Sequence, residues 1–210
     1  MPGEYRYHRS ADRFGGGTGM NDLAAQSNGH NPLKPYLGEL TQVTNLGADI
    51  KLLRVRLQNG GQEVFSNYHP GQFAFLSAFG MGEAPFGIAS TPGRGKTLDF
   101  AVQRLGSVTN ALHELAPGDL VGVRGPMGNC FPIDEFFGKD LVVLGGGIGG
   151  APLRPVIQHV LDHRDQFGHL TILWAARRPD LLVFTDEYPD WRSALDTDLL
   201  LTVDYPEPVS

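Results

Sequence analysis

The chain has 210 residues and a formal net charge of -6, with 41% hydrophobic and 19% charged residues. This length and balance are typical of a globular protein with a buried core, built as one large domain or two small ones. The acidic charge, without any block of lysine and arginine, argues against nucleic acid as a partner, because phosphate binding needs a concentrated basic surface. The one cysteine, Cys130, excludes an intramolecular disulfide and cannot alone hold an iron–sulfur cluster.

The first 31 residues show no pattern of a folded element. They are rich in Gly, Asn, Arg and Asp, and the glycine run between Gly15 and Gly19 has no apolar strand before it. Since a phosphate-binding loop needs a strand before it and a helix after it, we predict a mobile tail over residues 1–31. The N-terminus lacks the apolar segment of a secretory signal, and no stretch approaches the roughly 20 apolar residues of a membrane span, so we expect a cytoplasmic protein.

From Lys34 onward, short β-type segments alternate with glycine- and proline-rich turns. Residues 50–57, for example, place leucine and valine on one face and arginine on the other, which is typical of a half-buried antiparallel strand. A helix is predicted over residues 108–115, after Gly106 and before the Pro117–Asp119 turn. Six short strands with frequent turns predict a small closed or nearly closed β-barrel. The predicted strands are 36–44, 50–57, 72–77, 86–90, 97–102 and 120–124.

After Gly138 the pattern changes to that of a doubly wound parallel sheet. Residues 141–144 form an unbroken apolar run, typical of a central parallel strand. We therefore predict a barrel domain over residues 32–138 and an α/β domain over 139–210. Three parallel strands leave two open edges, so we expect the second domain to be incomplete. The elements predicted after the first strand are a helix over 153–167, a strand over 170–175, a helix over 184–191 and a strand over 199–203.

The glycine-rich turn over residues 145–152 is the segment most indicative of chemistry. It joins a buried strand to a helix, and its glycines permit a tight turn and a close approach by a pyrophosphate. Pro152 suits a first helical turn. Strand-to-helix turns also use glycine for purely steric reasons, so both interpretations stand. An ordinary dinucleotide fingerprint has an acidic residue after the second strand, whereas this chain has Arg177 and Arg178 there, which disfavours a plain Rossmann dehydrogenase.

Three other groups of polar residues have simpler interpretations. Ser107 and Thr109 suit the capping of a short helix, or else a second phosphate-bearing ligand. His159 and His163 lie one helical turn apart but lack the glutamate of a His-Glu-x-x-His site, so we interpret them as a surface pair and predict no metal. Glu187 is interpreted as a capping charge at a helix start. No arrangement of side chains suits acid–base or nucleophilic catalysis, so no catalytic residue is predicted.

Four segments occur in an order that resembles the ferredoxin–NADP⁺ reductase superfamily: residues 84–90, 106–109, 118–128 and 145–152. The chain is most similar to the gamma subunits of cytochrome-c3-type hydrogenases and sulfhydrogenases. It also resembles the anaerobic sulfite reductase B subunit and the electron-transfer subunit of dihydroorotate dehydrogenase. The resemblance covers about residues 32–210. It implies an antiparallel flavin-binding β-barrel followed by a truncated parallel doubly wound nucleotide-binding domain.

The resemblance also implies the residues that bind cofactors, with FAD (or FMN as the alternative) on the barrel and NAD(P)H on the α/β domain. The family's arginine and serine beside the flavin fall here on Ala84 and Gly87, so two familiar side-chain contacts are missing. The flavin-ring segment matches Pro85, Phe86, Gly87, Ile88 and Ala89. The flavin pyrophosphate turn matches Gly106, Ser107, Val108 and Thr109. The nicotinamide-nucleotide turn matches Gly146, Gly147, Ile148, Gly149 and Pro152, and Arg177 matches a contact to the adenosine end.

The function implied is that of an oxidoreductase subunit. It would pass electrons between NAD(P)H and an iron–sulfur or hydrogenase-type partner through a bound flavin. The cysteine-rich segment of the resembled subunits has no counterpart, so no iron–sulfur cluster is expected in this chain, and Cys130 is interpreted as a packed thiol. The alternatives are a non-catalytic flavin-binding or scaffolding module, or a truncated fragment, of a larger redox complex.

Overall fold

Six antiparallel strands form the first sheet of the computed structural model, which describes residues 33–206. The predicted tail over residues 1–31 lies outside the described residues. The strand order is β4-β3-β6-β1-β2-β5. Two short helices accompany the sheet, α1 (Gly61–Val64) and α2 (Ser107–His113). The strands are β1 (Tyr36–Asn45), β2 (Ile50–Leu57), β3 (Phe73–Ala78), β4 (Gly82–Gly87), β5 (Thr97–Gln103) and β6 (Leu120–Met127).

Alternation of apolar and polar residues builds this sheet as the sequence predicts. In β2 the side chains of Leu53, Val55 and Leu57 are buried, while Arg54 and Arg56 lie on the other face. Apolar residues of the other strands complete the barrel core with them. Because successive side chains of a strand point to opposite faces, one apolar face is enough to fix the register.

The fourth strand differs from its prediction over residues 86–90. It runs over Gly82–Gly87 and pairs with β3, so that Ala78 lies opposite Gly82 and Phe73 opposite Gly87. Gly80 and Gly82 both have positive φ, which permits the tight turn before the strand. Pro85 is tolerated because β4 is an edge strand, where a missing N–H costs no ladder hydrogen bond.

The segment after β4 closes the barrel against β5. The N–H of Ala89 donates to the carbonyl of Asp99 at 2.8 Å, and the N–H of Asp99 donates to Ser90 Oγ at 3.1 Å. Tyr68 donates its hydroxyl proton to the Ser90 carbonyl at 2.9 Å. Ala89 and Ser90 are therefore held by main-chain and side-chain hydrogen bonds although they form no regular strand.

The second sheet has three parallel strands in the order β7-β8-β9. Helix α3 ends earlier than predicted, because His163 leaves helical geometry (φ -127, ψ 43) and a 3₁₀ turn, Arg164–Gln166, follows. Helix α4 starts later than predicted, because Phe184 has φ +61 and another 3₁₀ turn precedes the helix. The elements are β7 (Leu141–Gly146), α3 (Arg154–Asp162), β8 (Leu170–Ala176), α4 (Tyr188–Ser193) and β9 (Thr197–Val203).

One face of the parallel sheet packs on the helices, and the other is exposed. Ile172 and Trp174 are fully buried in a cluster with residues of α3 and α4. On the opposite face Val142 and Leu144 are 74% and 64% exposed. The same buried cluster includes Ile50 and other residues of the barrel, so the two sheets pack against each other through one apolar core. None of the helices described between residues 33 and 206 is long and apolar enough to cross a membrane.

The last barrel strand ends at Met127 and the first parallel strand begins at Leu141. The domain boundary near Gly138 falls in this interval and stays a prediction. A 3₁₀ turn, Ile133–Phe136, occupies part of it.

Candidate cofactor sites

The glycine-rich turn lies at the carboxyl end of β7. Gly146 ends the strand, a 3₁₀ turn covers Gly147–Gly150, and α3 begins at Arg154. Two of the glycines are required by the buried indole of Trp174: a β-carbon at Gly145 would lie 2.6 Å from the ring, and one at Gly150 would overlap it. The steric interpretation of the turn is therefore correct for these two positions.

The other glycines of the turn face open space. A β-carbon added at Gly146, Gly147 or Gly149 would meet no atom within 4 Å. Gly147 also has φ +51, a conformation that side chains disfavour. Packing within the described chain does not explain why these three residues lack side chains. An anion that approaches the backbone closely would explain it.

A cleft of about 390 Å³ opens beside these glycines. It brings together predicted residues from the ends of two strands, namely Gly146, Gly147 and Ile148 after β7 and Arg177 after β8. Gly149 and Pro152 are not among the residues that line it. Ligands of open α/β sheets bind at this carboxyl edge of the strands. Ala175 and Ala176, which precede Arg177 in the stretch that resembles the family's adenosine contact, also line it. The remaining lining residues, which the sequence analysis did not identify, are Ile50, Gln103, Leu181 and Asp204.

The two arginines after β8 differ in their surroundings. Arg178 is held by Asp180 through two hydrogen bonds of 2.9 and 2.8 Å. The pairing raises the pKa of Arg178 and lowers that of Asp180, mainly through these bonds. Arg177 lines the cleft instead, as does Asp204. Of the two arginines, Arg177 is the one that lines the cleft.

The predicted flavin-ring segment is divided between the core and the surface. Ile88 and Ala89 are 1% and 0% exposed, and their N–H groups already donate to the carbonyls of Gln72 and Asp99. These two residues therefore have neither a side chain nor an N–H available to a ring. Pro85 is exposed and Phe86 is half-buried against the barrel core. The surface available to a flavin ring is thus formed by residues 85–87.

Gly87 brings the flavin-ring segment against the nucleotide turn. A β-carbon added at Gly87 would lie 3.0 Å from Pro152 Cβ, closer than an ordinary van der Waals contact. Pro152 thus occupies the direction in which the family's serine would project. Position 87 cannot carry the familiar hydroxyl contact here, because the proline is already there.

The predicted pyrophosphate turn begins helix α2. Thr109 Oγ1 accepts hydrogen bonds from the N–H groups of Leu105 (2.9 Å) and Gly106 (2.8 Å), so Thr109 caps the turn. The first bond of the helix runs from the Asn110 N–H to the Gly106 carbonyl. The N–H groups of residues 107–109 therefore have no carbonyl within the helix. Both interpretations of this segment remain open, since capping and an exposed helix start coexist.

Helix α2 and the nucleotide turn lie at opposite ends of β4. A β-carbon added at Gly82, the first residue of the strand, would lie 3.6 Å from the side chain of Val108 in α2. Gly87, the last residue, meets Pro152. A six-residue strand spans about 17 Å. The two predicted flavin segments thus lie along one strand, β4.

Two interpretations of single residues are wrong. Cys130 is exposed instead of packed, because its neighbour Phe131 turns inward against Gly71. His159 and His163 are half-buried instead of a surface pair, with their rings stacked at 4.5 Å. Burial, and then the neighbouring His163, lowers the pKa of His159. Within residues 33–206, no three potential metal ligands come together.

Two family models match the chain in the order of its sheets. An oxidoreductase FAD-binding domain matches residues 37–131 and an oxidoreductase NAD-binding domain matches residues 143–208. The gamma subunit of sulfhydrogenase 1 from Pyrococcus furiosus is 37% identical over 157 residues, 75% of this chain and 54% of the relative. A probable dihydroorotate dehydrogenase B (NAD⁺) electron-transfer subunit from Methanocaldococcus jannaschii is 38% identical over 122 residues, 58% of this chain and 43% of the relative.

Solved structures show the same fold at lower identity. An NADH-dependent reduced ferredoxin–NADP oxidoreductase matches with TM-score 0.66 and 24% identity, over 80% of this chain and 56% of that one. Phthalate dioxygenase reductase matches with TM-score 0.69 and 18% identity, over 85% and 55%. The chain spans about half the length of the curated relatives that it matches.

Proposed function

Because the chain belongs to the FAD- and NAD-binding oxidoreductases of the ferredoxin reductase-like fold, we propose that it is a flavin-dependent electron-transfer subunit. It oxidises NAD(P)H and delivers the electrons to an iron–sulfur or hydrogenase-type partner. The observation that supports this most strongly is the contact between Gly87 and Pro152. Through this contact the middle of the predicted flavin-ring segment meets the predicted nucleotide turn, as hydride transfer between the two cofactors would require.

The barrel residues fit a flavin in their shape and donors. Residues 85–87 offer a partly apolar surface for the ring, in which Pro85 is the exposed side chain. The start of α2 offers main-chain N–H groups to a pyrophosphate, and no atom fills the space beside Gly106. When bound, a flavin accepts a hydride from NAD(P)H and returns the two electrons to an acceptor, singly or together.

The α/β domain fits a nicotinamide nucleotide. The open positions of Gly146, Gly147 and Gly149 let a pyrophosphate approach the main chain, and the cleft continues to Arg177, where the adenosine end would lie. The side chains of this cleft orient the nucleotide and exclude water. None needs to take up or release a proton, because hydride transfer moves the electrons and the hydrogen together.

A second candidate function is a non-catalytic flavin-binding or scaffolding module of a larger redox complex. Ala84 and Gly87 stand where the family has its arginine and serine, and the N–H groups of Ile88 and Ala89 are already bonded. Fewer groups are therefore available to orient the ring. The two functions differ in whether a nicotinamide nucleotide reduces the bound flavin.

Purification of the full chain and anaerobic titration test both functions. We expect visible flavin absorbance, directly or after addition of FAD or FMN, and its loss when NADH or NADPH is added. Flavin that binds but is reduced by neither nucleotide supports the scaffolding function. A colourless protein that takes up neither flavin contradicts both.

A further inference from the structure

A buried set of charges joins helix α3 to the barrel. Arg154, in the first turn of α3, is 8% exposed, and Asp99 of β5 is 3% exposed. Charged residues are almost never buried unless they are paired, because removing a charge from water is costly. The hydrogen-bond partners of Arg154 and Asp99 therefore show which parts of the chain these buried charges hold together.

Arg154 contacts both domains with one guanidinium group. Its Nη1 donates to the carbonyl of Ala89 at 2.8 Å and to Asp99 Oδ2 at 3.1 Å. Its Nε donates to Glu187 Oε1 at 2.5 Å. The guanidinium also lies over the ring of Phe184, 4.9 Å from its centroid. Glu187 is thus a partner of Arg154, and its interpretation as a capping charge alone is incomplete.

Further bonds hold the partners of Arg154 in place. Arg54 donates to both oxygens of Asp99, at 2.7 and 2.9 Å. Gln158 of α3 donates to Glu187 Oε2 at 2.9 Å and accepts a hydrogen bond from Thr91 at 2.5 Å. Two cations and two anions are therefore balanced within this group. Because each charge is bonded from more than one side, the position of Arg154 is fixed.

We infer that Arg154 is a positioning residue that holds the flavin-ring segment in register with the nucleotide turn. Ala89 is the last residue of the flavin-ring segment, and Arg154 follows Pro152 by two positions. The guanidinium therefore joins the two segments next to their contact at Gly87 and Pro152. This inference rests on the proposed function, since it concerns the distance between the two cofactors.

A second ion pair between the same elements provides a matched control. Arg94, in the loop after β4, donates to Asp162 at the end of α3 at 2.7 and 2.6 Å. Its side chain is 41% exposed and also donates to the carbonyl of Gln158 at 3.3 Å. None of its hydrogen bonds within residues 33–206 reaches residues 85–89. Loss of Arg94 removes an ion pair between barrel and helix without releasing Ala89.

The test compares Arg154→Met, Arg154→Lys and Arg94→Met in the full chain. At saturating NADH or NADPH, we expect the rate constant of flavin reduction to fall about tenfold or more in Arg154→Met, because small displacements of reacting groups cost large factors in rate. The nucleotide dissociation constant stays within about threefold, since Arg154 does not line the cleft. Arg94→Met stays within about threefold in both quantities, because exposed ion pairs contribute little.

The visible spectrum of the bound flavin provides a readout besides the rate. We expect its bands to shift in Arg154→Met and not in Arg94→Met. Arg154→Lys keeps the charge but loses the planar set of donors, so we expect the same pattern with a smaller loss. If Arg154→Met does not fold, Arg154→Lys decides. A folded, flavin-bound Arg154 variant with the rate constant and spectrum of the unaltered chain overturns the inference.

Amide hydrogen exchange of the flavin-free chain separates this inference from the proposed function. We expect the amides of residues 88–91 to exchange about tenfold faster in Arg154→Met than in Arg94→Met, because the segment loses its bond at Ala89. Unchanged exchange overturns the positioning role. Absence of flavin binding in the unaltered chain overturns the proposed function. The exchange comparison can still be made in that case, because it uses the flavin-free chain.

Discussion

The indole ring of Trp174 lies where a side chain at Gly150 would project. Trp174 is fully buried between the parallel sheet and its helices, with its ring edge-on to Trp191 at 5.4 Å. Tryptophan side chains are large and interiors are close-packed, so the ring cannot move aside without disturbing the core. The glycine turn therefore depends on the second strand of the sheet for its shape.

Gly150→Ala should lower the free energy of unfolding by about 1–3 kcal/mol, because the methyl group overpacks the core against Trp174. Urea unfolding followed by tryptophan fluorescence measures the change. Gly95→Ala is the matched control, since a β-carbon there meets no atom within 4 Å. Equal stability of the two variants would contradict the steric role of Gly150.

Gly146→Asp should abolish reduction of the flavin by NADH and NADPH while the chain still folds and binds flavin. Gly146 has an ordinary extended backbone (φ -128, ψ 123) and open space around it, so the side chain fits. Its carboxylate would then repel the pyrophosphate in the cleft. Isothermal titration with NAD⁺ and NADP⁺ measures the loss of binding.

Gly95→Asp adds the same charge at another open glycine, outside the residues that line the cleft. We expect it to bind both nucleotides as the unaltered chain does. Nucleotide binding by Gly146→Asp that equals this control would mean that the glycine turn does not hold the pyrophosphate.

The elements that the sequence predicts well are those with a local signature. The alternation in β2 and the apolar run of β7 identified both sheets, because one period of side chains decides which face is buried. The predicted position of β4 was wrong because Gly82, Glu83 and Pro85 disfavour a strand. Only the pairing of β4 with β3 overrides this preference. The predicted end of α3 and the predicted start of α4 were wrong because single residues, His163 and Phe184, leave helical geometry.

The candidate site was predicted only in part, because only some of its residues form a local pattern in the sequence. The glycine turn has a signature in its own residues. The charged group of Arg54, Asp99, Arg154 and Glu187 has none, because its members lie 33 to 55 positions from their partners. Each of them, seen alone in the sequence, is an ordinary surface charge. The other wall of the cleft, Ile50 and Gln103, likewise comes from the barrel and becomes visible only in the fold.

Arg177→Gln should weaken the binding of NADPH about tenfold and that of NADH less than about twofold. A charge-assisted hydrogen bond to a 2′-phosphate accounts for a change of this size, and NADH has no such group. Arg178→Gln is the control, since Arg178 is already held by Asp180. Equal losses for the two nucleotides in Arg177→Gln would show that Arg177 does not discriminate between them.

Protonation of His159 should make the fold less stable as the pH falls from 7.5 to 5.5. Burial, and then the neighbouring His163, lowers the pKa of His159 in the folded chain, whereas the unfolded value is about 6.5. The unfolded chain therefore binds more protons in the window below that value, and stability decreases through it. His159→Gln should reduce this decrease, as measured by urea midpoints at the two pH values. The same decrease in both proteins would show that another group causes it.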